Sequence, residues 1–253
     1  NNNTVTGNTC TNNSYIGIYL GESSNNTVTG NTCNNNSYGI LLYLSTNNTI
    51  TGNTCNNNSH IGIYLTSSSN NNTVTGNTCT NNNDIGIYLG ESSNDNVVTG
   101  NTCNNNSYGI LLYLSTNNTI TDNTCNNNSN NGIRLYLSSN NTITGNTCND
   151  NNNDSGIHLD SSRNNTVTGN TCNNSNYGIR LYSSSNNTVT GNTCIRGTGQ
   201  TSDYASDQYT IRLQGTSNYN LITSNNCMGK APVVQGGTGN TVFNNKWDAS
   251  DDI

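Results

Sequence analysis

Asn3–Cys10 reads NTVTGNTC, and the octet returns with few changes at Asn26–Cys33, Asn48–Cys55, Asn72–Cys79, Asn118–Cys125, Asn141–Cys148, Asn165–Cys172 and Asn187–Cys194. Looser copies stand at Asn96–Cys103 (NVVTGNTC), Asn220–Cys227 (NLITSNNC) and Asn240–Trp247 (NTVFNNKW). From Cys10 to Cys194 successive cysteines lie 22 to 24 residues apart. A fixed period in this range marks a solenoid, in which each repeat touches only its neighbours. The chain therefore reads as one elongated domain. Its regular coils run over 1–194, a protruding loop over 195–208, and irregular coils with a C-terminal cap over 209–253.

Only 29% of the residues are hydrophobic and 8% charged, a mixture ordinarily found in disordered segments. Strict recurrence of Val or Ile, Cys, Ile and Leu argues for order instead, because each coil adds a few apolar side chains to a shared interior. In NTVTGN, Val5 points inward and Thr4 and Thr6 outward, since side chains alternate along a strand. The second recurring run is Gly-Ile-x-Leu, first at Gly17–Leu20, with Ile18 and Leu20 on one face. A third short strand is expected around Cys10. Three short strands per coil predict an all-β, right-handed parallel β-helix of about eleven coils, with a rod length on the order of 50 Å. Above the coil lies a longer repeat: the segment beginning at Thr4 returns from Thr73, so the array reads as duplicated in blocks of three coils.

The unit NNTVTGNTCNNNSYGILLYLSTN (Asn25–Asn47) resembles the β-helix repeats of the family that includes NosD-like periplasmic proteins and repetitive surface proteins of methanogenic archaea. The resemblance covers nearly the whole chain and implies the parallel β-helix. The sheath of filamentous methanogens is one member group it brings into view. Cysteine at the second aliphatic position departs from that family's pattern, and no copper-binding residue carries over from it.

Four features bear on function. Cys10, Cys33, Cys55, Cys79, Cys103, Cys125, Cys148, Cys172, Cys194 and Cys227 form an inward column. The column reads either as small buried hydrophobes or as neighbours paired in disulfides, since a Cα spacing near 4.8 Å falls within the range of about 4.4–6.8 Å that disulfides span. Metal-ligand clustering of the CxxC type is absent, so neither a metal nor another cofactor is expected. The outward position of Gly-Ile-x-Leu carries Tyr19, Leu41, Tyr64, Tyr88 and Leu111, a contiguous apolar stripe suited to assembly. It then carries Arg134, His158, Arg180 and Arg212, a basic stripe suited to an anionic glycan, with Asp160, Tyr182, Asp203, Tyr204 and Asp207 expected nearby. Asn-x-Thr sequons recur at Asn25, Asn47, Asn117, Asn140, Asn164 and Asn186, in turns where Asn tolerates a left-handed backbone.

A net charge of -6 with scattered basic residues leaves no nucleic-acid footprint, and no apolar run reaches the roughly 18 residues of a membrane span. A secreted or cell-surface structural subunit is the leading expectation. It would self-associate into a homopolymer through the Tyr/Leu stripe or by end-to-end stacking, with a cell-wall glycan as a further partner. The alternative is a carbohydrate-active or carbohydrate-binding β-helix acting on acidic polysaccharide. No catalytic constellation is evident along the strands, so the expectation is a non-enzyme. Trp247 is expected to plug the C-terminal end of the core, with Asp248, Asp251 and Asp252 discouraging further stacking.

Overall fold

The computed structural model describes residues 1–151 and 153–247. The octets form the first sheet: eleven three-residue strands, from Thr4–Thr6 to Thr241–Phe243, each paired in parallel with its equivalent one coil later. Register is kept residue for residue, as in Thr49↔Thr73, Ile50↔Val74 and Thr51↔Thr75. The Gly-Ile-x-Leu runs form the second sheet: ten strands from Ile16–Gly21 to Val233–Gln235. The expected third strand is a single bridge per coil, at the residue before each cysteine, running from Thr9↔Thr32 to Asn226↔Lys246. The chain is thus a parallel β-solenoid with three strands per coil.

The interior follows the alternation of the sequence. Val28, Cys33, Ile40 and Leu42 of one coil are fully buried, as are Ile50, Cys55, Ile63 and Leu65 of the next. Burial of each large aliphatic side chain contributes about 1.5–3 kcal/mol. Each stacks on its equivalent one coil away, as Val28 on Ile50 and Leu42 on Leu65.

Corners between the sheets are closed by asparagine in two distinct roles. One set takes the left-handed backbone, as at Asn25, Asn47, Asn117, Asn140, Asn164 and Asn186, with φ between 57° and 59°. These sequon residues are also exposed. The other set is buried and laddered: the N–H and Nδ2 of Asn26 both donate to Oδ1 of Asn48 at 2.9 Å, and the pattern repeats coil after coil. Buried amides are thereby satisfied, and an unpaired one would cost about 1–3 kcal/mol.

Gly109 shows how closely the coils approach. A methyl group there would lie 2.5 Å from the carbonyl oxygen of Gly132 and 2.9 Å from Cβ of Cys125. Thr201–Asp203 forms one turn of 3-10 helix within the loop that leaves the rod after Cys194. At the last described coil Trp247 is 42% exposed and Phe243 and Val242 are exposed as well. Trp247 lies beside Ala231, Pro232, Phe243 and Val242, and Val242 stands in register with the buried Ile222 of the preceding coil. The acidic tail from Asp248 lies outside the described residues.

Candidate functional site

The outer face of the second sheet carries the side chains that the interior does not use. Since Ile and Leu of Gly-Ile-x-Leu face inward, the residue between them faces out, and parallel register lines these residues up in one file. That file runs Tyr19, Leu41, Tyr64, Tyr88, Leu111, Arg134, His158, Arg180 and Arg212. The sequence-predicted assembly stripe and basic stripe are two halves of it. Tyr19 is 56% exposed, whereas Leu41, Tyr64, Tyr88 and Leu111 are half-buried. Much of the stripe packs on itself: the Tyr64 and Tyr88 rings stack with centroids 4.8 Å apart and planes 7° from parallel. Burial pushes the Tyr88 phenol up from its ordinary pKa.

In the basic half each arginine meets a carboxylate or an aromatic ring. Arg134 Nη2 donates to Asp160 Oδ2 at 2.8 Å, and its guanidinium lies 5.3 Å from the Tyr136 ring centroid. Arg180 Nη1 donates to Asp154 Oδ1 at 3.2 Å and its Nε to Gln214 Oε1 at 2.9 Å, over the Tyr177 ring at 4.8 Å. Arg212 donates to the Tyr177 hydroxyl at 3.0 Å and lies 4.3 Å from the centroid of Tyr209. Arg212 also donates from Nε and Nη2 to Gln235 Oε1 at 3.1 and 2.6 Å, so the stacks hold each guanidinium flat while its edge is engaged by a neutral amide or a carboxylate of the file.

His158 departs from the expected outward, exposed position: it is 6% exposed. Arg134 and Arg180 flank it in register one coil to either side. With strands about 4.8 Å apart, two long side chains leave little open surface over the one between them. Its Nδ1 lies 3.6 Å from Asp154 Oδ2, a distance for charge attraction but too long for a hydrogen bond. Among the described residues neither ring nitrogen has a hydrogen-bond partner, and Nδ2 of neighbouring Asn131 and Nε of Arg134 are also buried without one. Burial alone would raise the Asp154 carboxyl pKa. Nearby His158, with the Ser155 hydroxyl, outweighs it and holds the carboxyl well below the usual range. Ser155 Oγ donates to Asp154 Oδ1 at 2.9 Å.

Next to this charged group lies an open hollow of about 260 Å³, lined by Tyr88, Tyr108, Leu111, Tyr113, Arg134 and Tyr136. The combination of flat rings, half-buried arginines and paired carboxylates suits a sugar ring bearing an acid group. It does not suit glycoside hydrolysis: Asp154 and Asp160 are both tied to arginines, whereas a glycosidase needs one of two carboxyl groups protonated.

Sequence reading found Arg134, His158, Arg180, Arg212, Asp160 and Tyr182, but missed Asp154, Asn131, Tyr108 and Lys230. Lys230 Nζ lies 4.1 Å from the Tyr209 centroid and donates to the Ala205 and Gln208 carbonyls, fastening the 195–208 loop beside the file. Asp203 and Tyr204 are spent on the loop itself. Asp203 Oδ2 accepts from Thr198 and Gln200, and the Tyr204 hydroxyl donates to the Met228 carbonyl at 2.9 Å.

All ten cysteines are free thiols, with Cys10 partly buried and the rest sealed in the core. The disulfide reading of the ladder is corrected accordingly. In a stacked parallel register the Cβ atoms keep the strand spacing of about 4.8 Å, beyond the roughly 3.5–4.5 Å that a disulfide requires.

Residues 79–229 and 152–252 match the sequence model of the family described as periplasmic copper-binding protein (NosD), and residues 1–103 match that of the right handed beta helix region. No curated protein matches the sequence. Among solved structures, the A-module of the Azotobacter vinelandii mannuronan C-5 epimerase AlgE4 matches 88% of this chain at 17% identity, with a TM-score of 0.68. The Dettilon tailspike protein matches 98% at 17% identity, with a TM-score of 0.75. The DFA-IIIase of Arthrobacter chlorophenolicus matches 87% at 18% identity, with a TM-score of 0.68. The alignments span 64%, 60% and 59% of those chains, and at this identity the likeness is one of fold.

Copper, implied by the family description, does not fit the residues present. Among the described residues no three His, Cys, Asp or Glu side chains converge to hold an ion. Desolvation pushes the thiols of Cys79, Cys103, Cys125, Cys148 and Cys172 up, away from the thiolate form that soft metals take. No described helix is long and apolar enough to cross a membrane. With more than half of its length matched by that family's model and a parallel β-helix in three dimensions, the chain belongs to the NosD family of β-helical proteins.

Proposed function

We propose that this protein binds an acidic polysaccharide outside the cytoplasm, with the glycan lying along the outer file of the second sheet. The observation that carries the reading is the alternation of cation and ring over consecutive coils. Arg134, Arg180 and Arg212 lie on or beside Tyr108, Tyr136, Tyr177 and Tyr209, in a chain whose net charge is -6. Three of seven basic residues thus stand in one file of an otherwise acidic molecule. Tyrosine faces receive the apolar face of a sugar, and the guanidinium groups receive its carboxylate in exchange for partners such as Gln214 and Gln235, neutral amides that an anion outcompetes. The polysaccharide-related names among the structural neighbours favour this reading over a self-assembling envelope subunit. So does the stacking of Tyr64 on Tyr88, which leaves less of the apolar stripe to offer a second copy.

The test is retention in native affinity gels cast with polymannuronate, polygalacturonate or uncharged dextran. Retardation by one of the polyuronates, weakened by salt and reduced about tenfold in affinity by Arg180→Ala or Arg212→Ala, is expected from the loss of one charged hydrogen-bonding group. Equal behaviour in all three gels would overturn the proposal. Concentration-dependent sedimentation lost in Tyr19→Ser would instead support the assembly stripe.

A further inference from the structure

Resting on the acidic-polysaccharide reading, we infer that His158 is the base of a proton-transfer site acting on the carbon that bears a uronate's carboxylate. Three observations converge on it. His158 is more than nine-tenths buried, yet neither ring nitrogen has a hydrogen-bond partner among the described residues. A buried polar group in that state is costly unless a ligand completes it. Arg134 and Arg180 stand one strand to either side. The proton in question sits one bond from the carboxylate carbon, so the base and the carboxylate's cation must be immediate neighbours, and a spacing of about 4.8 Å provides that. Finally, Asp160 and Asp154 are held by Arg134 and Arg180, and Asp154 also stands 3.6 Å from His158 Nδ1, which leaves Nε2 as the ring nitrogen that takes the proton.

In the step, the neutral imidazole forms an N–H bond as the carbon–hydrogen bond breaks. The electron pair passes into the carboxylate, giving an enediolate whose second negative charge is stabilised by the guanidinium groups. The imidazolium then returns a proton to carbon, and base and substrate are restored with no oxidant or cofactor. Access to the ring is opened when Arg180 turns from Asp154 to the incoming carboxylate, exchanging one carboxylate partner for another.

The experiment incubates the protein in D₂O with polymannuronate, polyguluronate and polygalacturonate, then measures deuterium in the sugar residues by mass spectrometry. Incorporation at the carbon next to the carboxylate is expected with the native protein. It is expected to fall about a hundredfold or more in His158→Leu, the loss typical for a general base. Leucine already occupies this file position as Leu41 and Leu111, so the variant should fold, and circular dichroism and gel retention check that it folds and binds. Unchanged exchange in His158→Leu, or binding of a polyuronate by the native protein without any exchange, would sink the assignment of His158. Failure of the native protein to bind any polyuronate would sink the acidic-polysaccharide reading beneath it.

Discussion

Asn77 donates twice to one atom of Asn101: its backbone N–H and its Nδ2 both reach Oδ1 of Asn101 at 2.9 Å. Asn101 repeats the arrangement on Asn123 at 2.9 and 3.0 Å, while its own Nδ2 also donates to the Val74 carbonyl. With a further bond from Nδ2 to the Thr99 carbonyl, Asn101 thus accepts two bonds and donates four. Asn101→Ala should strand a buried backbone N–H and a buried carbonyl, each worth about 1–3 kcal/mol. The expected loss is about 3 kcal/mol in guanidinium unfolding, and a loss below about 1 kcal/mol would show that the ladder relaxes around the gap.

Two glycines that look alike in sequence should respond differently to alanine. At Gly109 the added methyl meets the Gly132 carbonyl at 2.5 Å, so the coils must separate locally. At Gly52 nothing lies within 4 Å, and the penalty is that of placing alanine at φ 62°, about 1–2 kcal/mol. Thermal unfolding of the pair should rank Gly109→Ala well below Gly52→Ala, and the reverse order would contradict the close stacking described above.

Alkaline pH should unfold the rod. Burial raises the thiol pKa of Cys79, Cys103, Cys125, Cys148 and Cys172 above the value of about 8.5 that they take in an unfolded chain. The unfolded state thus sheds protons first, so the stability these neutral thiols contribute is complete below about pH 8.5. It is lost progressively as pH rises above that toward their folded-state values. Urea midpoints measured from pH 7 to 10.5 should fall on the alkaline side. Cys125→Ala should reduce the limiting slope by about 1.4 kcal/mol per pH unit, the weight of one proton. An identical slope in that variant would mean that the thiol is not buried.

On the acid side the sign reverses at Asp154, whose carboxyl is held well below the usual range in the folded chain. Its contribution is complete above the unfolded value of about 3.9 and is lost as pH falls below that toward the folded value. Asp154→Asn should therefore be less stable than the native protein by a constant margin from pH 7 to about pH 4.5. The margin should shrink below that, as read from melting temperatures across the range. A margin that is the same at pH 3 as at pH 7 would exclude the carboxylate as its source.

The fold was legible because one positional rule is repeated: the inward Val5, Cys10, Ile18 and Leu20 of the first coil stand for every later coil. The third strand shrank to the single bridge at Thr9, since the sharp turns on either side leave no room for more. The site was legible only in part. Arg134, Arg180 and Arg212 stand at a repeating position and so announce themselves, whereas Asp154 lies before its strand in a turn and Lys230 in an irregular coil. Their approach to the file depends on cross-coil register, which coils of 22 to 24 residues obscure in a linear count. Ser155 and Asn131, where other coils carry Tyr or Ile, were the available signal: polar residues displacing apolar ones at one file position. The sealed state of His158 carried no signal, because it arises from the side chains of the coils above and below.

Stacking in fixed register has a further consequence for how such a molecule changes over generations. Lateral neighbours are always one coil apart, so inserting or deleting a whole coil elsewhere shifts the charged group along the rod by a discrete step without altering its internal distances. The three-coil block that begins at Thr4 and returns at Thr73 is such an increment. Reach and chemistry are thereby inherited separately: coil number sets how far the charged group stands from other parts of the molecule, while the few unlike residues between Asn131 and Arg212 set its chemistry.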